Sequence, residues 1–168
     1  MTDATSEAGE LVFTRVFDAP RELVFRCMIE PEHLTHFWGP RGVSTPLEHI
    51  TVDARVGGVF ETVMVNDSDG SQYPMRAVYV EILEPERLVW TDPGTGVTTT
   101  STFADLGDSR TEIRIRQMNV PEAFRSAEAQ AGFSTSLDRF AAYLGTLSSI
   151  TGSNKEPKKI ADEKEGSR

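Results

Sequence analysis

Apolar and polar residues alternate from Leu11 to Asp18 in a stretch rich in Val, Phe and Thr, the pattern of a half-buried strand. Pro20 then opens a helix, a position where its missing N–H costs nothing, and Leu23, Val24, Cys27 and Met28 fall on one face. A second short helix is predicted to start near Pro31 and to end before Gly39-Pro40. Six further strands are predicted near residues 44–53, 57–66, 72–83, 86–92, 96–105 and 109–119. Turn-like clusters separate them: Val56-Gly57-Gly58, Asp67-Ser68-Asp69-Gly70, Glu84-Pro85-Glu86, Pro93-Gly94 and Leu106-Gly107-Asp108. Links this short favour antiparallel hairpins over βαβ units. A long helix closes the pattern, with Phe133, Leu137, Phe140 and Leu144 as its apolar stripe. Asn119 and Glu122 have the spacing of a capping box, Pro121 sits in the first turn, and Gly145 suits a C-terminal cap. Gly132, costly inside a helix, is expected to mark a close approach to the sheet.

Length and charge narrow the function classes. The 168 residues suit one domain, and 38% hydrophobic with 26% charged residues is a globular composition. A net charge of −9 argues against non-specific nucleic-acid binding and against a polybasic membrane anchor. The longest apolar runs, such as Ala77-Val78-Tyr79-Val80, fall far short of the roughly 20 residues a spanning helix needs. Met1 to Glu10 has neither the basic region nor the apolar core of a secretion signal, and Cys27 is the only cysteine. Both facts fit a reducing cytoplasm. Residues 1–9 and 149–168 lack apolar patterning and are expected to be disordered, leaving residues 10–148 as the domain.

The element order and several local motifs resemble the START-like, or SRPBCC, superfamily of helix-grip folds. Within it, the chain resembles the family named after the C-terminal domain of the activators of heat-shock protein 90 ATPase. The resemblance rests on the stretch Phe17-Asp18-Ala19-Pro20-Arg21-Glu22-Leu23-Val24-Phe25, on Pro31-Glu32-His33-Leu34 and on Phe37-Trp38-Gly39-Pro40. Further along, it rests on Val56-Gly57-Gly58-Val59-Phe60, on Glu81-Ile82 with Pro85-Glu86-Arg87-Leu88-Val89, and on Gly132-Phe133 with Leu137-Asp138-Arg139-Phe140. It implies an α+β fold, a curved antiparallel sheet of about seven strands around a long C-terminal helix, with two short helices after the first strand. Phe37-Trp38 stands where the family often has two tryptophans, Gly132-Phe133 where it has Gly-Trp, and Ala77 where a glycine is common. These swaps keep the fold and change the shape of the interior. Residues 1–10 do not supply the separate chaperone-binding domain of the eukaryotic co-chaperones.

The helix-grip fold implies a cavity between the concave face of the sheet and the last helix. By the family pattern, Phe60, Thr62 and Met64 point inward from one strand, and Ala77, Tyr79 and Glu81 from the next. Val97, Thr99, Ser101 and Phe103, then Thr111, Ile113, Ile115 and Gln117, face them, with Phe133 and Leu137 closing from the helix. Trp38 and Trp90 complete the expected set at the rim and sheet. Apolar walls dotted with a few polar groups suit a small molecule, although threonines in strands also occur in an ordinary core. Glu81, if it faces inward, could serve as general acid or base, and if it lies at the rim it pairs with an arginine such as Arg76.

Other candidate chemistry is sparse. His33 and His36 sit three residues apart beside Glu30 and Glu32, but no third metal ligand is evident, and exposed helix histidines explain them as well. Cys27 lies on an apolar helical face and reads as core. There is no G-x-S-x-G elbow, no H-E-x-x-H and no phosphate loop. No catalytic residue, metal or cofactor is assigned. The leading expectation is binding of a small, largely apolar molecule for sequestration, delivery or sensing. The resemblance also carries a co-chaperone reading, stimulation of a chaperone ATPase, and a polyketide cyclase or aromatase reading with Glu81 or Tyr79 moving protons. A homodimer is compatible with the family.

Overall fold

The computed structural model describes residues 3–7 and 9–155. Two strands, β1 (Asp3–Glu7) and β2 (Glu10–Phe17), lead into helices α1 (Arg21–Cys27) and α2 (Pro31–Leu34). Strands β3 (Val43–Ser44), β4 (Ile50–Val52), β5 (Val59–Asn66), β6 (Gln72–Leu83), β7 (Arg87–Thr91), β8 (Thr98–Gly107) and β9 (Arg110–Met118) follow. Helix α3 (Ala127–Lys155) ends the described chain. The strands make one antiparallel sheet in the order β1-β2-β9-β8-β7-β6-β5-β3, with β4 also paired to β5. None of the helices described is long and apolar enough to cross a membrane.

Hairpins dominate because the turn chemistry allows it. Asp108 and Ser109, the two residues between β8 and β9, both take positive φ, the mirror-image turn whose twist matches its strands. At the link into β5, Gly58 is required: a Cβ there would lie 2.0 Å from the Asp53 carbonyl oxygen.

Several sequence expectations are corrected. Residues 3–7, expected outside the fold, pair with β2 from Asp3↔Thr14 to Glu7↔Glu10. The expected strand at 44–53 is divided into β3 and β4, with a short 3-10 turn at Leu47–His49 between them. Helix α3 starts at Ala127 rather than near Pro121, because Asn119 takes a φ of 63° and residues Glu122–Phe124 make their own 3-10 turn. The cap is Ser126, whose hydroxyl accepts the Ala129 N–H at 3.1 Å. Gly145 does not end the helix, which continues to Lys155. Gly132 approaches the Pro40 side chain, not the sheet, and at an ordinary contact distance. The charged end beyond Lys155, including Lys158-Lys159, lies outside the described residues.

The interior is filled unevenly. At one end α1 closes the sheet: Val24 and Phe25 are fully buried, and Phe25 meets Phe103 edge-on at 5.3 Å. Phe17 packs on Phe140 of α3 at 4.9 Å, and Phe37 stacks on the same ring at 4.0 Å. Phe13 meets Phe133 at 4.3 Å, and a space bordered by Phe133 remains between the sheet and α3.

Cys27 belongs to the packed end. Burial, followed by the charge of Glu30, pushes its thiol from an ordinary 9.0 up to about 12, against a smaller opposing effect of Arg26. Unfolded chain therefore releases this proton near pH 9 while folded protein keeps it. The stability it contributes is full below pH 9 and is lost as pH rises towards 12. We expect urea-unfolding stability to fall over that window, with up to about 1.4 kcal/mol per pH unit from this one group. Cys27→Ala should flatten the decline, and an unchanged slope would exclude the thiol as its source.

Candidate functional site

The space between α3 and the concave sheet is a cavity of about 330 Å³. Its long wall comes from strands whose period of two turns every second residue inward. Thr99 and Ser101 of β8 stand beside Ile113, Ile115 and Gln117 of β9, in the register Thr99↔Gln117 and Ser101↔Ile115. Trp90 of β7, Ala77 and Met75 of β6 and Met64 of β5 continue the wall. Helix α3 contributes Phe133, Ser136, Leu137 and Phe140, three of them members of the apolar stripe and Ser136 one residue before Leu137. Phe124, on the 3-10 turn before α3, borders the cavity yet is 59% exposed, which puts it at the mouth.

The rim segment 39–43 is held from the helix. The Arg139 terminal nitrogen Nη1 lies 2.8 Å from the Gly39 carbonyl oxygen, 3.0 Å from that of Pro40 and 3.2 Å from that of Val43. Gly39 is obligatory: its φ is +98°, and a Cβ would come within 2.7 Å of both Met64 Sδ and Val43 Cγ2. Asp138 ties α3 down on its other flank, accepting from the buried Arg15 at 2.9 Å and facing Arg41 at 3.6 Å. Neither arginine role was visible from sequence spacing, since the partners lie about a hundred residues apart.

The residues expected in the site divide. Trp38, Met64, Trp90, Thr99, Ser101, Gln117, Phe133 and Leu137 line the cavity. Phe60, Tyr79 and Phe103 face inward but are packed solid, Phe60 lying 5.1 Å from both Trp38 and Trp90 and 6.0 Å from Tyr79. Thr62 is buried opposite Ile50 and Met75 and does not reach the cavity. Glu81 points out of the interior: its carboxylate accepts from Arg87 Nε at 2.9 Å, while Arg76 pairs with Glu61. The cause is a bulge. Tyr79 pairs with Trp90 and Glu81 with Val89, so Val80 is an extra residue that reverses the facing of everything after it. Inward-facing Ile82 replaces Glu81 in the core contacts.

Proton chemistry at these positions has little support. The Tyr79 hydroxyl is raised above its ordinary 10.0 by burial and then by the Asp53 charge, and it has no hydrogen-bond partner among the described residues. His33 Nδ1 lies 2.6 Å from the Tyr143 hydroxyl and its Nε2 lies 3.4 Å from Glu30, while His36 stacks on the Tyr143 ring at 4.8 Å. These contacts fasten α2 to α3 outside the cavity. Among the described residues, no group of three His, Cys, Asp or Glu side chains is arranged to hold a metal ion.

Residues 18–145 match the family model described as activator of Hsp90 ATPase homolog 1-like protein. The chain belongs to this family. Its fold is shared with protein CV1439 from Chromobacterium violaceum, 28% identical, with a TM-score of 0.74 over 80% of this chain and 96% of that one. Protein NE0264 from Nitrosomonas europaea is 24% identical, with a TM-score of 0.73 over 86% of this chain and 99% of its own. An AHSA1-like protein from Aeromonas hydrophila is 18% identical, with a TM-score of 0.69 over 82% and 94% of the two chains. No curated protein matches. This AHSA1-like domain therefore has the helix-grip architecture of a START-like superfamily member, with the long helix α3 lying across the concave sheet.

Proposed function

We propose that this AHSA1-like domain binds a small, largely apolar molecule in the cavity, for sequestration, delivery or sensing and without covalent chemistry. The observation that carries the reading is a space of about 330 Å³ bounded by aromatic, thioether and aliphatic side chains and opening beside the exposed Phe124. That volume is at the lower end of the range for small-molecule sites. The family description also carries a second reading, stimulation of a chaperone ATPase, but that rests on the name of relatives and on no surface described above.

The neutral dye N-phenyl-1-naphthylamine tests the cavity reading. Its fluorescence should rise saturably with wild-type protein. Ala77→Phe, which projects a ring into the cavity from β6, should weaken binding at least tenfold. Overpacking at a buried site can itself cost about 1–3 kcal/mol, so Ser136→Phe, placed on the helix side of the same space, serves as the second variant. Folding of both is checked by circular dichroism. Wild-type affinity in a folded variant of either kind would overturn the reading.

A further inference from the structure

The cavity wall is selective in what it offers a guest. Ser101 is fully buried on the inner face of β8, between Leu88 and Ile115 of the adjoining strands, and its hydroxyl has no hydrogen-bond partner among the described residues. A hydroxyl left unpaired away from water is costly, and native interiors pair nearly all such groups. Around it the wall carries no lysine, arginine or histidine. The one ionisable lining residue is Asp92, in the turn after β7, where its Oδ1 already accepts the N–H groups of Gly94 at 2.8 Å and Thr95 at 3.3 Å. An anion entering the cavity would pass this carboxylate, meet no counter-charge and approach a chain of net charge −9. A cation seated as deep as Ser101 would lose its hydration with no carboxylate beside it.

Resting on the cavity reading above, we infer that the natural guest is an uncharged, mainly hydrocarbon ring compound of about two fused rings, whose one hydroxyl or carbonyl oxygen bonds the Ser101 hydroxyl. The cavity volume has room for a compound of about two fused rings. The thioethers of Met64 and Met75 and the indoles of Trp38 and Trp90 give polarisable surface against its faces.

Equilibrium dialysis at pH 7 against four probes of one shape tests this: 2-naphthol, naphthalene, 2-naphthoate and 2-naphthylmethylammonium. Wild-type protein should bind 2-naphthol at least tenfold more tightly than either ion. Ser101→Ala should weaken 2-naphthol roughly three- to tenfold, the range expected for one neutral hydrogen bond, and leave naphthalene within about twofold. Because the variant removes an unpaired buried hydroxyl, its thermal midpoint without ligand should match or exceed that of wild type. The inference is overturned if either ion binds as tightly as 2-naphthol, or if Ser101→Ala binds 2-naphthol as wild type does. If dye binding obeys the cavity-filling variants while 2-naphthol shows no preference, the selectivity alone has failed. If dye binding ignores those variants and no probe binds, the cavity reading has failed with it.

Discussion

Phe140→Ala should lower the stability of the domain by about 3–5 kcal/mol, the range for truncating a buried aromatic ring. The ring is 2% exposed and stands where three elements meet. Phe37, between α2 and β3, stacks on it at 4.0 Å with the planes 3° apart, and Phe17 of β2 meets it at 4.9 Å. Both contacts are lost on truncation, and each aromatic pair is worth about 0.5–1.5 kcal/mol beyond the area it buries. The ring also borders the cavity, so its removal would enlarge that space. Urea unfolding measures the effect. A loss below about 1 kcal/mol would mean that neighbouring side chains collapse into the gap.

Arg139→Met should cost about 2–3 kcal/mol and loosen the cavity rim. The substitution keeps the apolar stem and removes the charged donor near the carbonyls of Gly39, Pro40 and Val43. Hydrogen bonds to a charged group contribute about 1.5–3 kcal/mol, but three acceptors sharing one nitrogen on a partly exposed residue do not add. Partial burial, with a smaller effect of Arg41, draws the guanidinium below its ordinary proton affinity, partly offset by Asp67. Segment 39–43 lacks regular structure until Val43, and its other ties are the Arg41 N–H to Thr135 Oγ1 at 3.0 Å, the Asp67 N–H to the Gly42 carbonyl at 2.9 Å and Arg41 beside Asp138 at 3.6 Å. Hydrogen exchange should quicken at the Val43 amide, which bonds the Pro40 carbonyl at 3.3 Å, while the amides between β8 and β9 keep their protection. Equal exchange at Val43 in both proteins would assign the rim's order to something other than Arg139.

The inward residues that the family resemblance implies lie inward where alternation runs unbroken. Thr99, Ser101 and Phe103 alternate inward on β8, as do Thr111, Ile113 and Ile115 on β9, and nothing interrupts either run. On β6 the inward pattern holds only as far as Tyr79, and Glu81 lies outside paired with an arginine, as the second reading had it, although the partner is Arg87 and not Arg76. Tyr79-Val80-Glu81-Ile82 has no glycine or proline to announce a bulge, so alternation continued past Val80 turns Glu81 the wrong way. The start of α3 was misplaced for a related reason: Asn119 and Glu122 have capping-box spacing, but the left-handed φ of Asn119 commits it to leaving β9. Ser126, the residue that caps the helix, was available as a signal one position before the observed start. Arg139 and Arg15 act on partners remote in sequence, and no local pattern encodes such a contact.

The uneven filling of the interior has a consequence for how such a domain diverges. Phe25, Phe103 and Phe17 are buried away from the cavity, whereas Ala77, Thr99, Gln117 and Ser136 border it. Substitutions in the first group strike the architecture. Those in the second reshape a void and leave most close contacts in place. The shape of the interior space can therefore drift while selection for folding acts on the packed residues, so two descendants of one ancestor can keep the same scaffold around differently shaped interiors.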